Sequence, residues 1–142
     1  MLNAYYIYLI SHRLYCLKIP MLPKIGKLMC FLLYNSSIPY ECKIGKGSRF
    51  GYSGIGVVLH KRTVIGLNCS IGTNVTVGGR SKHFDVPIIG DYVYIGTGAK
   101  ILGPIKIGNN VTIGANAVVI QDVPDNATVA GVPAKIIKTS VE

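Results

Sequence analysis

Residues 89–119 read IGDYVYIGTGAKILGPIKIGNNVTIGANAVV, and the spacing inside this stretch decides the fold. A step of six from Ile89 lands on Ile95, Ile101, Ile107, Ile113 and Val119. The same step backwards meets His83, then Val77, Ile71, Ile65 and Leu59. Glycine follows the stepped residue at Gly66, Gly72, Gly78, Gly90, Gly96, Gly108 and Gly114. Two residues ahead stands another small or apolar side chain, as at Val75, Val93, Ala99, Ile105, Val111 and Ala117. On a strand, residues i and i−2 point the same way, so both rows face one interior. The glycine reads as a corner, where φ is free to turn positive. Each unit is then one short strand and one corner. Three units close a triangular coil of 18 residues, and stacked coils bury a common core. The spacing predicts a parallel β-helix over 44–120. Six is not a helical period, and an antiparallel sandwich does not require so strict a step.

The departures from the repeat are as informative as the repeat. Ile44-Gly45 and Phe50-Gly51 fit the step, and the register then slips by three before Leu59. Gly51, Tyr52, Ser53, Gly54 and Gly56 lie in that slip and read as an irregular first coil. Residues 78–87, from Gly78 to Pro87, break the pattern and read as a loop, with His83 where an aliphatic belongs. His60 fills a corner slot usually given to glycine. Steps of 18 from His60 reach Gly78, Gly96 and Gly114, which predicts a groove floored by glycines. The neighbouring column holds Lys61, Gly79, Thr97 and Ala115.

Composition narrows the partners. The 142 residues suit one domain and carry a formal charge of +9 from 15 Lys/Arg and 6 Asp/Glu. A basic excess favours an anionic partner. The charges are scattered and no zinc-finger or RNA-binding signature is present, so nucleic acid is not expected. Cys16, Cys30, Cys42 and Cys69 show no CxxC spacing and read as reduced, buried thiols of a cytoplasmic protein without bound metal. Residues 1–40 are apolar and basic, with no acid before Glu41. Pro20 and Pro23 split them into two short helices, roughly 4–18 and 24–34, too short to span a bilayer. Two roles stand open for them: a cap on the first coil, or a segment lying on an anionic membrane surface. The organisation expected is a helical segment at 1–40, the β-helix at 41–128 and a tail at 129–142.

Five stretches carry a family resemblance. They are residues 56–66 (GVVLHKRTVIG), 75–79 (VTVGG), 86–90 (VPIIG), 94–103 (YIGTGAKILG) and 129–138 (VAGVPAKIIK). Together they resemble the serine acetyltransferase-related branch of the hexapeptide-repeat acyltransferases. The resemblance implies a left-handed parallel β-helix, assembled as a homotrimer, with acetyl-CoA lying in a groove between subunits. It implies CoA contacts at Thr97 and Ala115, and basic residues near the CoA phosphates at Lys135 and Lys138. It also implies a catalytic histidine at the position of Ser53 and a second at the position of Val86, or, in galactoside-type relatives, one near Arg80. None of these three positions holds histidine here.

Acetyl transfer to a hydroxyl needs one positioned proton acceptor, and histidine titrates in the right range. His12 falls in the first helix and reads as structural. His60 is favoured as base because it is expected on the CoA corner. His83 is the second candidate, with Asp85 as its orienting partner. Backbone N–H groups of Gly78 and Gly79 would hold the developing oxyanion. The expected activity is an acetyl-CoA-dependent O-acetyltransferase acting on a sugar hydroxyl of a surface polysaccharide or its precursor. The alternatives are a serine O-acetyltransferase and an inactive β-helix scaffold. A γ-type carbonic anhydrase is disfavoured, since it needs three zinc-binding histidines.

Overall fold

The computed structural model describes residues 2–140. Its strands stack into three sheets, one per face of a coil. The first face carries β1 (Lys43–Ile44), β4 (Val64–Ile65), β7 (Ile88–Ile89) and β10 (Lys106–Ile107). The second carries β2 (Arg49–Phe50), β5 (Ser70–Ile71), β8 (Tyr94–Ile95), β11 (Thr112–Ile113), β13 (Ala127–Gly131) and β14 (Ala134–Thr139). The third carries β3 (Val58–Leu59), β6 (Thr76–Gly78), β9 (Lys100–Leu102) and β12 (Val118–Val119). Neighbouring strands pair in parallel, except β13 with β14. The fold is the parallel β-helix that the six-residue step predicts.

The stepped aliphatics form the core. Ile71, Ile95 and Ile113 are fully buried in one column, and Val77, Ile101 and Val119 in the next. Each buried isoleucine contributes about 1.5–3 kcal/mol, so one repeat adds little alone and the stack a great deal. The corners differ from expectation. The positive φ falls two residues beyond the glycine, at Asn68, Asn74, Tyr92, Gly98, Asn110 and Asn116. Asparagine tolerates this left-handed conformation because its short side chain bonds locally. The glycine itself serves close approach. A Cβ on Gly96 would stand 2.6 Å from the amide nitrogen of Ala115 in the next coil.

Side chains stitch the corners as well. Asp91 Oδ1 accepts from the Leu67 amide at 2.7 Å, and the Asp91 amide donates to Asn109 Oδ1 at 2.8 Å. The Asn109 amide in turn donates to Asp125 Oδ1 at 2.7 Å.

Register reports every insertion. Lys106 pairs with Ile88, Thr112 with Tyr94 and Val118 with Lys100, all 18 residues apart. Val64 pairs with Lys43 and Ser70 with Arg49, 21 apart, which is the expected slip of three. Ile88 pairs with Val64, Tyr94 with Ser70 and Lys100 with Thr76, 24 apart. The loop therefore inserts six residues, the length of one whole face.

The preface folds as α1 (Ala4–Cys16) and α2 (Leu22–Tyr34). α2 starts two residues earlier than expected, because Pro23 fits the first helical turn rather than ending it. α1 lies across the first coil. The Tyr8 hydroxyl donates to the Cys42 carbonyl at 2.7 Å and accepts from the Ile44 amide at 3.2 Å. Asn3 Nδ2 donates to the Phe50 carbonyl at 3.0 Å. Gly26 of α2 meets Ser11 of α1 so closely that a Cβ there would strike the Ser11 hydroxyl. At the other end the chain departs from the expected boundary at 129. β13 begins at Ala127 and pairs Val129 with Ile113 inside the second sheet, and β14 folds back on it as an edge strand. Cys30, Cys42 and Cys69 are buried as expected, whereas Cys16 is exposed.

Tyr8→Phe removes the two hydrogen bonds that the Tyr8 hydroxyl makes to the first coil. Denaturant unfolding is expected to show a loss of about 1–3 kcal/mol, the cost of leaving buried backbone groups unpaired.

Candidate active site

The six-residue loop moves the predicted columns. Thr76–Gly78 pairs with Lys100–Leu102, so the residue above Gly78 is Leu102 and not Gly96. The His60 column runs His60, Gly78, Leu102 and Ile120. The expected glycine floor beneath His60 is therefore wrong beyond Gly78. Gly96 and Gly114 stand on a different corner, between the second and third faces, together with Thr97 and Ala115. Lys61 and Gly79 do not share a column with Thr97 and Ala115. The error came from stepping 18 across a segment that holds 24 residues per coil.

Two clusters result. The first sits between the third and first faces. It holds His60, Gly78, Gly79 and the loop with Arg80, His83 and Asp85. His83 and Asp85 are exposed, and the His83 amide donates to the Arg80 carbonyl at 3.0 Å. No hydrogen bond joins His83 to Asp85, so the expected orienting pair is not formed here. The organiser is a residue that sequence reasoning passed over. The Arg62 amide donates to His60 Nδ1 at 3.2 Å, while its side chain donates to the Phe84 carbonyl. The Arg62 guanidinium also lies 3.8 Å from the centre of the Phe84 ring. Arg62 thus ties His60 to the loop. Its position two residues after an out-of-pattern histidine was the available signal. Beside it, a cavity of about 280 Å³ is lined by Arg62, Phe84, Asp85, Val86, Ile88 and Lys106 among others.

The second cluster runs along the other corner and off its end. Thr97 and Ala115 are exposed in successive coils. Lys135 pairs with Ala130 and Lys138 with Thr128, and the register shifts between Thr128 and Val129. Cross-strand partners share a face. Ala130 and Thr128 lie two apart on one strand, so both lysines stand on their face. A regular strand would have put residues three apart on opposite faces; the bulge restores them to one. This face adjoins the corner of Thr97 and Ala115.

His60 is electrostatically tuned. Partial burial and the charges of Arg62 and Lys61 hold its pKa below the ordinary imidazole value. The ring is then neutral at neutral pH. With Nδ1 accepting from Arg62, the ring proton sits on Nε2. To accept a proton on its outer side the ring must turn over and give up one hydrogen bond, at a cost of about 0.5–1.5 kcal/mol. The buried thiols are no rival nucleophiles. Burial pushes Cys30 up to about 11 and Cys42 up to about 12, so both stay protonated.

The positions where the family resemblance implies histidine are filled otherwise. Ser53 is buried at φ 62° in a 3₁₀ turn, Gly51–Gly54, within the three-residue slip. Val86 is buried at the loop's end, facing Gly79. His12 bonds the Tyr40 carbonyl through Nδ1 at 2.7 Å and stacks on Tyr8, a structural role.

Residues 87–121 match the family described as bacterial transferase hexapeptide (six repeats). Serine acetyltransferase of Staphylococcus aureus (strain Mu50) is 42% identical over 139 residues, covering 96% of this chain and 65% of that protein. Neisseria gonorrhoeae serine acetyltransferase in complex with serine superposes with a TM-score of 0.87 at 38% identity, over 95% of this chain and 55% of the other. A serine acetyltransferase in complex with CoA superposes with a TM-score of 0.84 at 37% identity, over 94% of this chain and 55% of the other. The chain carries the hexapeptide repeat of that family and is similar to serine acetyltransferases over nearly its whole length. It spans between about half and two thirds of the length of the curated relatives it matches. These matches overturn the sugar acceptor expected from the sequence. That expectation rested on the short preface and the vacant histidine positions, and neither outweighs identity spread over nearly the whole chain.

In a proton NMR titration, His60 is expected to titrate below the usual imidazole value near 6.5. Arg62→Ala removes one of the opposing charges and is expected to raise it. An unshifted His60 would show that the corner leaves it fully solvated.

Proposed function

We propose that this chain transfers the acetyl group of acetyl-CoA to the hydroxyl of serine, at a site built between neighbouring copies. The similarity of nearly the whole chain to serine acetyltransferase structures holding serine and CoA carries this reading. Serine attacks the thioester carbonyl, and its hydroxyl proton passes to His60, turned so that the Nδ1 lone pair leaves the Arg62 amide and faces the substrate. The oxyanion forms near the amides of Gly78 and Gly79. The C–S bond then breaks, the O-acetyl ester forms, and the CoA thiolate takes up the proton. General-base help of this kind supplies 10²–10⁴-fold, about 3–5 kcal/mol, which exceeds the cost of turning the ring. Asp85 suits the substrate ammonium, and Arg80 its carboxylate.

CoA lies along Thr97 and Ala115, with its phosphates toward Lys135 and Lys138, which bind phosphate as point charges. This corner and the His60 corner border different faces of one coil. A homotrimer that sets one copy's His60 corner against its neighbour's Thr97 corner completes the site. The vacancies at Ser53 and Val86 favour a second reading, a scaffold that binds CoA without turning it over.

The test measures thiol release from acetyl-CoA with serine and, separately, with sugars. His60→Ala is expected to slow serine turnover by roughly 10²–10⁴-fold. Asp85→Ala is expected to raise KM for serine more than it lowers kcat. Ala115→Trp blocks the other corner. Co-refolding the inactive His60→Ala and Ala115→Trp chains in equal amounts should restore about a quarter of the sites, because one interface in four receives two intact halves. CoA binding with no turnover on any acceptor supports the scaffold reading, and no recovery on mixing refutes the shared site.

A further inference from the structure

We infer that the outer face of the α1–α2 hairpin rests on an anionic lipid bilayer. α2 buries Pro23, Gly26 and Cys30 against the rest of the molecule. At 100° per residue, the side facing away carries Ile25, Leu28 and Leu32. They are 51%, 55% and 70% exposed. An ordinary surface helix sets charged or polar residues on that side. Among the described residues, 15 of the 27 exposed large apolar side chains lie between Leu2 and Leu33. The excess thus belongs to the hairpin and not to the coils. A shallow apolar groove of about 240 Å³, lined by Ile7, Ile10, Leu14, Leu22, Ile25 and Met29 among others, runs between the helices.

Charge selects the occupant. Arg13, Lys18, Lys24 and Lys27 are exposed on or beside these helices, and no Asp or Glu occurs before Glu41. A second copy docked by a two-fold axis would set this basic surface against itself with no acid to offset it. An anionic bilayer offers hydrocarbon to the apolar face and negative headgroups to the four cations. Among the described residues no helix is long and apolar enough to cross a membrane, so the hairpin lies on the surface. The inference is independent of the acetyl-transfer reading.

The 142-residue chain is sedimented with vesicles of phosphatidylcholine alone, or of phosphatidylcholine with about 30% phosphatidylglycerol. Binding is expected on the anionic vesicles, falling with salt, and little on the neutral ones. Lys24→Gln with Lys27→Gln is expected to weaken it roughly thirty-fold. Leu28→Glu with Leu32→Glu is expected to abolish it without lowering the melting temperature, since both side chains already face water. Failure to bind anionic vesicles overturns the inference, as does equal binding by wild type and the leucine variant. Self-association in lipid-free solution that the leucine variant dissolves also overturns it, in favour of a second copy.

Discussion

A Cβ on Gly72 would stand 2.7 Å from the amide nitrogen of Thr97, so neighbouring coils stack only where that corner is bare. Bare corners bring backbones to one strand spacing, about 4.8 Å, and that contact lets short strands form continuous sheets. Extra residues cannot be absorbed inside such a stack and must leave it. Three of them leave at the Gly51–Gly54 turn, where Tyr52 and Ser53 take left-handed backbone conformations. Six leave between β6 and β7, and the strands on either side resume in register.

The repeat, the slip and the loop were all legible in the sequence, because each is a matter of spacing along the chain. Column membership was not. A six-residue insertion returns the aliphatic row to its step, so Ile89 looks continuous with Val77, yet it lies on another face. Constant spacing hid a rotation by one third of a coil. The role of glycine was half legible. Its recurrence marked the corner, but the turn itself is made by the residue two positions on, asparagine at four of the six corners. The grouping of Lys135 with Lys138 was implied by family resemblance alone. A bulge produces it, and spacing of three on a strand argues against it.

The rotation changes the chemistry that one copy can perform. Had His60 shared a corner with Thr97, a single chain would have held both the proposed base and the proposed thioester track. With the two on separate corners, the proposed site depends on assembly. Arg62 matters more in this arrangement than its bland sequence context suggests. Its amide selects the His60 tautomer, its charge lowers the pKa, and its side chain holds the loop that carries His83 and Asp85. One residue therefore couples loop position to the proton inventory of the corner.

The charge balance has a structural origin. Asp91, Asp122 and Asp125 spend their carboxylates on backbone amides of Leu67, Lys106 and Asn109. Half of the six acids are thereby committed to the corners, so few carboxylates remain to offset the formal +9. Six of the 15 cations stand at the two ends, and the other nine are scattered along the coils between them. Arg13, Lys18, Lys24 and Lys27 gather where α1 covers the first coil, while Lys135 and Lys138 sit on the strand beyond the last. About four coils separate the two ends, roughly 20 Å at one strand spacing each. A nucleic acid would need a continuous basic track. Two separate poles instead suit two separate anions, a headgroup surface at one end and a nucleotide phosphate at the other. A chain seated on a bilayer by its first coil would then carry Lys135 and Lys138 on the side away from the membrane, open to the proposed soluble cosubstrate.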